Sequence, residues 1–189
     1  MLRKIIWSNQ ADIGLEHFTL RHSDDEITAD GIVIGVEEDL AFRIHYQITC
    51  DLRWQVRKVV VKSLEENEHT ISFVSDGSGN WTNESANSIS ELKGCFDVDI
   101  TATPFTNTLP IRRLNLSSGE SAEIKVVYFT IPEMKVSVDP QRYTCLEAGS
   151  DGGKYKFESL DGDFTAVITV DADGLVEDYP TLFKRVWTG

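Results

Sequence analysis

The chain has 189 residues, 41% hydrophobic and 10% aromatic, with a formal net charge of −13. That composition supplies a core and excludes a disordered chain, and the length fits one domain, 1–189, that needs no staple. A field of this sign repels phosphate backbones and anionic lipid surfaces, so neither nucleic acid nor a membrane surface is expected as a partner.

The N-terminal apolar run after Lys4 is too short for a signal-peptide core, and no long apolar segment follows. No stable membrane insertion and a cytoplasmic location are therefore expected. Sequons at Asn80, Asn83 and Asn115 carry little meaning without secretion. Cys50, Cys95 and Cys145 are odd in number, far apart and without CxxC spacing, which fits buried reduced thiols.

Taken in chain order, the pattern is period-two almost throughout. His17–His22 and Ile27–Val36 read as strands, with Gly31 marking a bulge or a close approach. Glu37-Glu38-Asp39 turns the chain. Ala41–Cys50 then alternates, with Phe42, Ile44, Tyr46 and Ile48 against Arg43, His45, Gln47 and Thr49. Trp54–Leu64 and His69–Ser75 are further strands; Asp76–Asn80 is a turn and Trp81-Thr82 the return. Glu84–Leu92 is polar and reads as a loop.

Beyond the middle, Ala122–Ile131, Met134–Val138, Gln141–Glu147, Lys154–Leu160, Phe164–Val170 and Leu175–Tyr179 read as strands. Asp161-Gly162-Asp163 is a hairpin signal. Thr181–Trp187, after Pro180, is the fair helix candidate. The whole indicates a single antiparallel all-β domain: barrel, roll or sandwich.

The densest polar chemistry lies in Gly94–Leu114, GCFDVDITATPFTNTLPIRRL. Phe96, Val98, Ile100 and Ala102 share one face; Asp97, Asp99, Thr101 and Thr103 share the other. Asp97 and Asp99 are neighbours on that face. Either they form an acid/base pair or accept sugar hydroxyls, or they pair with Arg112, Arg113 or Arg142 as structural ion pairs. Asn107, Thr108, Arg112 and Arg113 follow a proline-punctuated loop, where arginine offers a bidentate fork to a phosphate or sugar.

Catalytic signatures are missing. His17, His22, His45 and His69 lie on separate elements without metal-ligand spacing. Ser121 sits in GES rather than GxSxG, and the glycine-rich turns lack phosphate-loop contexts. No metal, no cofactor and no catalytic residue is therefore assigned.

A resemblance is carried by Cys50-Asp51 with Trp54-Gln55-Val56-Arg57, by Ser75–Trp81, and by Leu92–Leu114. It continues in Gly119-Glu120-Ser121, Gln141-Arg142-Tyr143, Tyr155, Asp171–Leu175 and Asp178-Tyr179-Pro180. On these segments, in order from Trp7 to Val186, the chain resembles the bacterial glycolipid-binding family. The resemblance implies a spiral β-roll of many strands and no established catalytic residues, and with the strand pattern the expectation is a half-open barrel with at most one or two short helices.

Three functions follow as expectations. The first is a non-enzymatic protein holding an amphipathic small molecule such as a glycolipid. Its acyl part would lie in a groove of the roll, and its head group would meet Asp97, Asp99, Thr108, Arg112, Arg113 and Arg142. Tyr143 and Tyr155 would bridge the two regions. The second is an enzyme acting on a sugar or lipid head group with Asp97 or Asp99 as acid or base. The third is a structural or interaction protein that pairs β-edges in a homo-oligomer.

Overall fold

The computed structural model describes residues 1–66 and 69–189. Its strands are β1 (Leu2–Asn9), β2 (Gly14–His22), β3 (Ile27–Glu37), β4 (Leu40–Cys50), β5 (Val56–Ser63), β6 (Thr70–Ser75) and β7 (Trp81–Asn83). After these come β8 (Asp97–Ile100), β9 (Ser121–Thr130), β10 (Lys135–Gly149), β11 (Gly152–Ser159), β12 (Thr165–Asp171), β13 (Val176–Tyr179) and β14 (Phe183–Thr188). They form one 14-stranded sheet in the order β7-β6-β5-β4-β3-β2-β1-β14-β13-β12-β11-β10-β9-β8. Two meanders are thus joined where β1 pairs with β14. The sheet does not close by strand pairing. The chain instead brings its edges together through loop contacts, including Gly94 N–H to Gly79 O at 2.8 Å. This is the all-β, half-open roll expected from the sequence.

Three local features differ from expectation. Thr181–Trp187 is not a helix, because Phe183–Thr188 pairs along β1, with Asn9 opposite Phe183 and Trp7 opposite Arg185. Over so few residues a ladder outweighs helix propensity. Met134–Val138 and Gln141–Glu147 are one strand, β10. Pro140 accepts from Leu160 N–H at the end of the β11 ladder, so its missing N–H falls there rather than inside the ladder. Finally, β8 runs parallel to β9, an exception among antiparallel pairs.

The helix lies in the signature segment. A 3-10 turn over Phe105–Asn107 leads into α1 (Thr108–Leu114). Pro110 sits in its first turn, where its missing N–H breaks no helical bond. Asn115 in the left-handed conformation ends it, φ 48°. Among the described residues no helix is long and apolar enough to cross a membrane.

This helix is a plug inside the roll. Phe105 and Leu109 belong to one core cluster, built mainly from β1–β9 with Trp7, Phe18, Tyr46 and Trp81. Ile111 belongs to a second, built from β10–β14 with Tyr143, Phe157 and Tyr179. The Phe105 ring stands 4.6 Å from that of Phe18, and Phe18 5.0 Å from Trp7. Cys50, Cys95 and Cys145 are buried free thiols.

Gly31 marks close approach rather than a bulge. It faces Tyr46 in unbroken β3–β4 register, and a Cβ there would overlap the ring, standing 2.7 Å from the hydroxyl oxygen. Gly35 likewise stands opposite Phe42. The Gly31→Ala variant is therefore expected to lose about 1–3 kcal/mol through overpacking. Urea denaturation, with the midpoint lowered and the slope unchanged, checks this.

Candidate functional site

A cavity of about 400 Å³ opens where the two core clusters meet. Its apolar wall includes Trp7, Val33, Phe42, Phe157, Phe164, Leu182 and Phe183. Much of that wall is one aromatic cluster: Phe157 to Phe164 at 6.0 Å, Phe164 to Tyr179 at 6.2 Å, and Tyr179 to Phe183 at 6.4 Å between ring centroids.

The polar wall is a connected network. Gln141 on β10 donates from Nε2 to Asp99 Oδ2 at 2.8 Å and to Asp139 Oδ2 at 2.9 Å. Thr106 donates to Asp99 Oδ1 at 2.7 Å. Thr103 Oγ1 lies 3.2 Å from the Tyr46 hydroxyl, which donates to Glu16 Oε1 at 2.5 Å. Asn107 accepts from the Tyr143 hydroxyl at 2.9 Å. Glu16, Asp99, Thr103, Asn107, Asp139 and Gln141 all line the cavity. Among the described residues, three buried polar side-chain atoms have no partner: Gln141 Oε1, Glu16 Oε2 and, in α1, Thr108 Oγ1. Such atoms are costly unless something else satisfies them.

Electrostatics follow from burial. Desolvation pushes the Glu16 carboxyl up from 4.5 to about 8, against the hydrogen bonds from Tyr46 and Thr103. Desolvation also raises Asp99, opposed by Thr106 and Gln141 and reinforced by Asp139. Asp139 is raised chiefly by desolvation. Tyr128, opposite Asp99 on β9, goes up to about 12 through burial and the nearby acids.

The structure separates the residues singled out from sequence. Of these, Asp99 and Asn107 line the cavity, with Thr101 and Thr103 from the polar face of the same segment. Asp97, fully buried, is taken by Arg113, with Nε to Oδ1 at 2.9 Å and Nη2 to Oδ2 at 2.6 Å. Burial still raises its carboxyl, and the guanidinium opposes that shift. Arg113 also lies over Phe96, and Arg112 over Trp54 at 5.4 Å. Thr108 is buried in the first turn of α1. Arg142 reaches Glu123 at 2.6 Å. Tyr143 reaches the site through Asn107, and Tyr155 packs in the second cluster.

Glu16, Asp139 and Gln141 were not singled out from sequence. Glu16 had a readable signal, since it shares the inward face of β2 with Phe18 and Leu20. Gln141 similarly aligns with Tyr143 and Cys145 along β10. Among the described residues, no group of histidine, cysteine and acidic side chains is placed to hold a metal ion.

Comparison with known proteins is consistent with this architecture. A family model described as "Putative glycolipid-binding" matches residues 4–185. The crystal structure of a DUF1089 family protein from Pseudomonas aeruginosa is similar over 92% of each chain, with 36% sequence identity and a TM-score of 0.82. No curated protein matches the chain.

Two outcomes test the energetics. Arg113→Ala leaves a buried carboxylate unpaired and is expected to cost about 3–5 kcal/mol in urea denaturation. Glu16 binds its proton more tightly folded than unfolded. Its contribution is thus complete below about 4.5 and is lost as pH rises towards about 8. The slope approaches ~1.4 kcal/mol per pH unit. Glu16→Gln should remove that slope while leaving stability at acid pH nearly unchanged, as denaturation across this pH range would show.

Proposed function

The chain belongs to the glycolipid-binding family, and from that premise we propose a non-enzymatic binding protein that holds one amphipathic small molecule, a glycolipid, inside the roll. One observation carries this reading: a cavity with a continuous aromatic wall on one side and unpartnered buried polar atoms on the other. Its volume falls within the ~300–1,000 Å³ range of small-molecule sites. The apolar chain lies against Phe157, Phe164 and Phe183, and the head group donates hydrogen bonds to Asp99, Asp139 and Gln141. Asp97 and Arg113 fix β8 to α1 and so position Asp99 without touching the ligand.

A second reading has its own support. Glu16 is a carboxyl held neutral near pH 7, in one cavity with Asp99 and Asp139. That places an acid near a base, as head-group chemistry requires. Turnover of nitrophenyl glycosides that is lost in both Glu16→Gln and Asp99→Asn would favour it over simple binding.

For the binding reading, native mass spectrometry of protein from its own cells should find a co-purifying amphiphile at one per chain. Nile red, a neutral apolar probe, should bind, and Leu182→Trp, which fills the apolar wall, should weaken it about tenfold. An empty protein whose Nile red affinity ignores Leu182→Trp overturns the proposal.

A further inference from the structure

We infer that the head group held in this cavity carries a positive charge, so that the occupant is an amine-bearing amphiphile, such as an amino sugar on an alkyl chain. This inference rests on the reading of the cavity as an amphiphile site.

The charges around the cavity are of one sign. Asp99 and Asp139 are held by the same amide nitrogen of Gln141, at 2.8 and 2.9 Å, so two carboxylates sit within one group's reach. Asp12 and Glu37 line the cavity as well. Among the described residues, no lysine, arginine or histidine lines it. The nearby basic groups are spent elsewhere: Arg113 on Asp97, Arg142 on Glu123, and Arg112 over the Trp54 ring.

The hydrogen-bonding capacity has a matching sense. Gln141 turns its donor to both carboxylates, which leaves Oε1 as a free acceptor on a residue 1% exposed. The cavity therefore asks for a ligand that donates. A hydroxyl donates but does nothing to keep Asp99 and Asp139 ionised, and burial pushes both towards their neutral forms once an alkyl chain has displaced water. An ammonium supplies three donors and the missing charge together. With water gone, the attraction between unlike charges strengthens several-fold. The chain's net charge of −13 draws cations toward the opening and repels anions.

The test uses probes with one alkyl chain and three head groups: octylammonium, octyl glucoside and octyl sulfate, each below its critical micelle concentration. Titration calorimetry on the full chain should rank the ammonium at least about tenfold tighter than the glucoside, with no measurable sulfate binding. Asp99→Asn should erase the ammonium preference and change glucoside affinity less than about threefold. Asp139→Asn, at a less buried position, repeats the measurement where Asp99→Asn fails to fold. A glucoside that binds as tightly as the ammonium overturns the inference and leaves the amphiphile reading standing. So does an ammonium preference that survives both substitutions. Failure of all three probes, with Nile red also indifferent to Leu182→Trp, overturns the amphiphile reading itself.

Discussion

The pairing of β1 with β14 is the contact on which the cavity depends. It joins one meander of strands to the other, and the cavity lies across the join. Trp7 and Asn9 on β1 and Phe183 on β14 line the space, and Asn9 stands opposite Phe183 in the ladder. Trp7 ties the two sides further by donating from Nε1 to Val176 O at 2.8 Å. The aromatic wall comes largely from the second meander, and Glu16, Val33 and Phe42 come from the first. Either meander alone supplies only part of the site.

The polar interior is assembled with two different fates for similar groups. Asp97 and Asp99 stand on the same strand face, separated by one residue. One receives a two-pronged arginine and becomes a structural tie between β8 and α1. The other receives only neutral donors and faces open space. A buried ion pair roughly balances its own desolvation cost, whereas a buried carboxyl with only neutral partners is pushed towards its neutral form. Aromatic placement depends on glycine in the same way. Gly31 and Gly35 leave room for Tyr46 and Phe42, and Tyr46 then reaches Glu16.

Much of this was legible in the sequence where the information is local. The alternation of Ala41–Cys50 survives unchanged as β4, with Ile44, Tyr46 and Ile48 inward. The adjacency of Asp97 and Asp99 was readable too. What decided their fates was not, because Arg113 comes from a helix whose segment reads as a proline-broken loop. The helix expected at Thr181–Trp187 fails for a related reason. Its hydrogen-bonding partner is β1, at the far end of the sequence, and no local window contains both. Glu16 was hidden by strand bounds: starting the strand at His17 removes it from the face it shares with Phe18 and Leu20.

The strand order has a consequence for the entropy of assembly. Taken as a ring, it runs from β8 through β14 and on from β1 to β7, so each strand lies beside its sequence neighbour everywhere except at one pairing. That exception is β1 with β14, and it carries the longest loop closure in the sheet. Its cost is repaid only when the two ends of the chain meet, whereas the other pairings join elements that are successive in sequence. A molecule held between Trp7 and the aromatic wall, as proposed, would add contacts across that same junction. Under the proposed binding, occupancy and closure of the chain's longest loop would be thermodynamically linked, with the ligand as a clasp.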